Sequence, residues 1–126
     1  MRRRTLAARL AVLPLLTLLA ACVQPVAVPV YGQGPTGCDT SFRVSNASGA
    51  TIREFYFSHA SLGGWGSDQL GRDVLSPGES RGYRAANTGL YDFRTVWTDG
   101  SAAEIRQVDI CRASQITAYR GRLTAS

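Results

Sequence analysis

Residues 91–108 read YDFRTVWTDGSAAEIRQV, and side-chain pairing lets this stretch fold back on itself in one way. Tyr, Phe, Thr, Val and Trp crowd the first arm, types that fit a pleated strand, and Asp99-Gly100 supplies turn chemistry between the arms. A three-residue loop from Thr98 to Gly100, with the glycine in the left-handed region, is a common hairpin solution. It sets Arg94 opposite Glu104 and Asp92 opposite Arg106 on one face, with Phe93 opposite Ile105 and Thr95 opposite Ala103 on the other. A two-residue turn would instead oppose Phe93 to Arg106 and Arg94 to Ile105, so the longer loop is selected. A chain that commits its strongest strand-forming segment to such a hairpin is committed to a β fold.

The neighbouring segments agree. SFRVSN alternates Phe42 and Val44 with polar residues and runs into Ser48-Gly49, a strand followed by a turn. TIREFYFSH is rich in β-branched and aromatic residues, yet Ile52 falls on the opposite parity from Phe55 and Phe57, which predicts a bulge between them. Pro77-Gly78 has fixed φ first and positive φ second, the order a type II turn requires. RGYRAA and SQITAYRGRL add further short strand-like pieces, and no helical period is visible beyond Cys22. The expectation is an all-β domain, a small antiparallel β-sandwich or barrel of about six or seven strands.

The N-terminus carries a different signal. No residue from Leu10 to Ala21 is charged, while Arg2, Arg3, Arg4 and Arg9 stand ahead of the run and small residues close it. A helix spanning a bilayer needs about 20 apolar residues, and this shorter run is interrupted by Pro14. The order is that of a secretory signal. The run ends at Leu19-Ala20-Ala21-Cys22, which resembles the lipobox of bacterial lipoproteins. That resemblance implies cleavage before Cys22, a diacylglyceryl thioether on its sulfur and acylation of the freed amine. At about 0.8 kcal/mol per buried methylene, several acyl chains make a lasting membrane anchor. Val23 stands where that family carries an Asp for inner-membrane retention, which implies the outer membrane. The expected organisation is a removed signal over residues 1–21, a lipidated cysteine and tether over 22–37, and one domain over 38–126. Three prolines and three glycines in residues 23–37 make the tether extended, with a reach of roughly 40 Å at about 3 Å per residue.

The charge balance follows from this division. The chain has no lysine, so all 14 basic residues are arginine. Four of them lie in the signal, leaving ten against nine carboxylates and a net charge of +1. No clustered basic stripe survives to recognise nucleic acid. With Cys22 assigned to lipid, Cys38 and Cys111 remain, an even number in an oxidising compartment. A disulfide between them is the economical pairing, and two buried free thiols are the alternative.

NASGATIREFYFS, WGSDQLGRDVLSPGES, YDFRTVWTDG and VDIC, in this order, resemble a group of small exported bacterial proteins of uncharacterised function. The resemblance spans roughly residues 42 to 111 and implies no particular activity. Members often carry a cysteine just before the Tyr-Asp pair, where this chain has Leu90, so the resemblance leaves the partner of Cys38 open.

Residues able to do chemistry are sparse. The single histidine, His59, has Ser58 and Ser61 beside it and Asp68 further on, so a serine triad can be assembled on paper. No Gly-x-Ser-x-Gly elbow, zinc signature, phosphate loop or dinucleotide fingerprint accompanies it. One histidine and two dispersed cysteines do not make a zinc site, and Asp68 with Asp73 is too small a set for calcium. No cofactor is expected. Trp65 stands out instead, a large aromatic with glycines at 63, 64 and 66. It fits two roles: a lid closing a small apolar cluster with Leu62 and Leu70, which the bracketing leucines favour, or a ligand contact with Asp68 nearby. The function expected is a lipid-anchored cell-envelope binding or structural module, with carbohydrate or an envelope protein as partner. The alternative is a small envelope hydrolase using His59.

Overall fold

A computed structural model describes residues 37–126; the segment expected to be a signal, Cys22 and the expected tether through residue 36 lie outside the described residues. Seven strands follow one another: β1 (Ser41–Asn46), β2 (Ile52–His59), β3 (Ser80–Arg84), β4 (Leu90–Trp97), β5 (Ala102–Asp109), β6 (Gln115–Tyr119) and β7 (Arg122–Ala125). They form two sheets, ordered β3-β1-β6-β7 and β2-β4-β5. The domain is an all-β sandwich, and the segment read as one final strand is two, turned at Arg120-Gly121 with Gly121 at φ 72°.

The central hairpin has the expected register, with Arg94 opposite Glu104, Phe93 opposite Ile105 and Thr95 opposite Ala103. Its loop closes through Trp97 N–H to the Ser101 carbonyl at 2.8 Å, and Gly100 takes φ 85°. Pro77-Gly78 is also a turn, with Glu79 N–H donating to Ser76 O at 3.0 Å and Gly78 at φ 82°. The β2 bulge falls between Ile52 and Glu54, which lets Ile52 and Phe55 both point inward. A second bulge opposes Arg106 and Gln107 to Asp92 alone, with Gln107 at φ 57°.

One expectation is corrected. The sandwich is not wholly antiparallel, because β1 and β6 run parallel, Arg43 beside Gln115 through Asn46 beside Ala118. The chain reaches β6 by crossing from the other sheet, so no hairpin imposes an antiparallel partner on it. Parallel strands begin at the same end of a sheet, and each of these is preceded by a cysteine. The Cys38–Cys111 disulfide forms there, with Cα atoms 5.4 Å apart.

Phe42 of β1 meets Phe57 and Phe93 of the facing sheet edge-on, with ring centroids 4.9 and 5.3 Å apart, which locks the two layers together. Phe55 and Phe93 have no exposed surface, and full burial of each contributes roughly 1.5–3 kcal/mol. Asn46 is buried among them without a lost hydrogen bond. Its amide donates to the carbonyls of Ala50 and Leu75 at 2.7 and 2.8 Å, and its Oδ1 accepts from Ser48 N–H and Ser48 Oγ. Ser48 Oγ in turn accepts from the indole N–H of Trp97 at 2.8 Å. Asn46, Ser48 and Trp97 thus tie the β1–β2 corner to the end of β4. Thr95, also fully buried, is the exception: its Oγ1 has no hydrogen-bond partner among the described residues.

Candidate functional site

β2 is an edge strand, and an uncovered edge invites pairing with other chains. The segment that follows β2 covers it. Asp68 Oδ1 accepts from the N–H groups of Phe55 and Leu70, both at 2.9 Å, and Gln69 N–H donates to Phe55 O at 2.7 Å. Further along, Ile52 and Leu75 exchange both backbone hydrogen bonds. One carboxylate oxygen of Asp68, a candidate ligand contact, is therefore committed to holding the loop. Asp73 lies 3.6 Å from Arg81, and no cluster of three or more His, Cys, Asp or Glu side chains suited to a metal exists among the described residues.

With its base pinned at Asp68, the loop extends its tip toward side chains of β4 and β5. The Trp65 ring lies against Arg106, whose guanidinium carbon is 4.5 Å from the ring centroid. Arg106 is held flat by carboxylates: Nη1 donates to Asp92 at 3.2 Å, and Nη2 and Nε donate to Glu104 at 2.8 and 3.2 Å. Glu104 also accepts from Arg94. The Arg106 hydrogen bond holds the Glu104 carboxyl below its ordinary range against a smaller opposing effect of burial, and the same bond raises the affinity of Arg106 for its proton. Asp92 has a second task, its Oδ1 accepting from Gln107 N–H at 2.8 Å where the backbone turns left-handed. The network thus presents the flat face of a cation to an indole, a contact contributing about 0.5–1 kcal/mol at an exposed site.

The lid expected of Trp65 with Leu62 and Leu70 does not assemble. Leu70 is turned into the core at 4 % exposure by the Asp68 turn, whereas Leu62 stands 63 % exposed on the tip. The glycines carry the tip away from the core, and Arg106 offers the half-buried indole a planar partner that two leucines cannot.

Trp65 borders two clefts. One, of about 230 Å³, contains Ser58 and the Asp92–Arg106 pair. The other, of about 260 Å³, is walled by Phe57, His59 and Tyr91 and edged by Gln69 and Asn87. Leu62 lies on the rim of both. His59 and Trp65 therefore come together, while Asp68 lines neither cleft. Ser61 N–H donates to His59 Nδ1 at 3.2 Å, with Ser61 Oγ 2.7 Å from the same nitrogen. An acceptor at Nδ1 places the ring hydrogen on Nε2. That edge faces Gly89, where a Cβ would come within 2.6 Å of Nε2, and φ of 121° independently requires glycine. A serine and a histidine are thus in contact, but no carboxylate hydrogen-bonds to the ring among the described residues to complete a triad.

Sequence reasoning placed Arg106 only as the register partner of Asp92. Its stacking on Trp65 joins a loop to a strand far along the chain, and no local pattern announces it. Asn87 and Tyr91 were likewise missed as cleft residues; Tyr91 Oη donates to Asn87 O at 3.0 Å, and this shapes the cleft wall. No protein-family model, curated protein or solved structure matches the chain.

Proposed function

We propose that this chain is an exported, lipid-anchored binding module of the bacterial cell envelope, held through Cys22 on the periplasmic side of the outer membrane, with the Trp65 loop as its contact surface. The single observation that carries the contact surface is the setting of Trp65: a half-buried indole on a glycine-rich tip, between two clefts, with the exposed Leu62 on their shared rim. Large aromatics held rigid at a surface are the residues that most often dominate recognition. The anchor draws on the apolar run ending in Leu-Ala-Ala-Cys, and the Cys38–Cys111 disulfide is in keeping with an oxidising compartment. Among the described residues no helix is long and apolar enough to cross a membrane.

The anchor is tested by metabolic labelling with a fatty acid. The wild-type chain incorporates label and Cys22→Ser does not; a labelled, membrane-bound Cys22→Ser protein contradicts the anchor. The contact surface is tested by capture of envelope components on the immobilised chain, which Trp65→Ala abolishes. The rival reading, an envelope hydrolase using His59, draws on the Ser61 contact alone, and full retention of biological function in His59→Ala removes it.

A further inference from the structure

The two clefts beside Trp65 differ in charge. The smaller contains the Asp92–Arg106 pair, whereas among the described residues no Arg, Asp or Glu lines the larger. Its walls are aromatic: Trp65, Tyr91 and Phe57, with the His59 ring edge-on to Tyr91 at 5.2 Å between centroids. Its rim is polar but uncharged. The side-chain amide of Asn87 has no hydrogen-bond partner among the described residues, and Gln69 donates to Ser67 O at 3.0 Å while leaving its own amide oxygen without a partner there. The volume, about 260 Å³, lies below the roughly 300–1,000 Å³ of pockets that take drug-sized ligands.

A ligand suited to these walls has one apolar face to lie on an indole, hydroxyl or amide groups around its edge to meet side-chain amides, and no net charge to leave unpaired. A phosphate or carboxylate would enter a cleft with no arginine on its lining among the described residues. Arg106 does not supply one, because it borders the other cleft and three of its five N–H donors are engaged by Glu104 and Asp92. A peptide side chain could cover the indole but would leave the uncharged rim without the ring of hydroxyls it can bind. Pyranose rings combine an apolar C–H face with equatorial hydroxyls, and their size suits a cleft of this volume. Resting on the proposed role of the Trp65 loop, we infer that the larger cleft is a binding site for a neutral sugar ring, stacked on Trp65 and hydrogen-bonded by Asn87 and Gln69.

The full chain, purified in a sugar-free detergent, is titrated with maltotriose, cellotriose, triacetylchitotriose and, as an anionic comparison, trigalacturonate, following tryptophan fluorescence. Trp97 is fully buried, so the response reports on Trp65. At least one neutral trisaccharide gives a saturable change and trigalacturonate gives none. The variants are followed by isothermal titration calorimetry, which needs no indole reporter: Trp65→Ala weakens that binding about tenfold or more, Trp65→Phe restores part of it, and Asn87→Ala weakens it about fivefold, as loss of a central contact and a rim contact should. A response to none of the neutral sugars, a preference for trigalacturonate, or neutral binding indifferent to both Trp65→Ala and Asn87→Ala overturns the inference. In each case envelope capture is measured alongside. Capture that stays Trp65-dependent while sugars fail points to a protein partner and leaves the contact surface standing; capture indifferent to Trp65 removes the contact surface as well.

Discussion

The two tryptophans of this chain are held in opposite ways. Trp97 has no exposed surface, and its indole N–H is satisfied by Ser48, itself bonded to the buried Asn46. Trp65 is half-buried at a loop tip, its N–H has no hydrogen-bond partner among the described residues, and its ring rests on one guanidinium. Arg120 also lies over Trp97, at 5.7 Å, so a neighbouring cation does not distinguish them. What distinguishes them is the enclosure of the rest of the ring. An indole closed in by core and a satisfied polar chain is part of the fold, whereas one left partly exposed between two clefts keeps surface for something else.

The contrast makes graded predictions. Trp97→Ala removes a fully buried ring and its hydrogen bond to Ser48, and should cost about 3–5 kcal/mol. A domain of this size would then melt many degrees lower. A thermal midpoint close to wild type would break the contrast at its firmer end. Cys38→Ser combined with Cys111→Ser opens a link between residues 73 apart. By the chain-entropy model it should cost about 4 kcal/mol in denaturant melts. Because the link lies at the start of β1 and β6 rather than at the Trp65 loop, the residual folded protein should still capture its partner. Thr95→Val works in the other direction: it removes a buried hydroxyl that has no partner among the described residues and should stabilise by about 1 kcal/mol. A destabilised Thr95→Val would mean that the hydroxyl is bonded after all.

Acid sharpens the comparison from the other end. The Glu104 carboxyl is held below its ordinary value of 4.5 in the folded chain, chiefly by its hydrogen bond with Arg106. A depressed carboxyl contributes fully above its unfolded value and loses that contribution as pH falls through the folded one. Between pH 5 and acid conditions below 4.5, Arg106 should therefore lose part of its support, and Trp65 emission should shift toward that of a solvent-exposed indole while Trp97 stays unchanged. A Trp97→Phe background isolates the signal, and an unmoved Trp65 spectrum would show that the stack does not depend on Glu104.

Local pairing rules carried much of this fold. Register followed from matching Arg94 with Glu104 and Phe93 with Ile105, and the β2 bulge followed from the parity of Ile52 against Phe55. The same parity signal was present and unread in β5, where Ala103 points inward with Ile105 half-buried, while the buried Val108 and Ile110 fall on the opposite parity. The left-handed Gln107 absorbs that change, and a glycine there would have announced it. The parallel pairing of β1 with β6 was not legible from either strand, although a disulfide between their preceding segments would have required their starts to coincide. Of the candidate site, sequence singled out Trp65 and His59 but could not supply Arg106, Tyr91 or Asn87, which reach the cleft only through tertiary structure.

The most direct test of the central claim is Trp65→Ala, the substitution with the smallest expected effect on stability. Its loss removes the stacking contact of a ring at the loop tip that is not part of the core, so the thermal midpoint should stay within the shift that about 0.5–1 kcal/mol produces. Capture of envelope material by the same protein should be lost. A midpoint lowered as far as that of Trp97→Ala, or capture left intact, would contradict the assignment of this loop as the working surface.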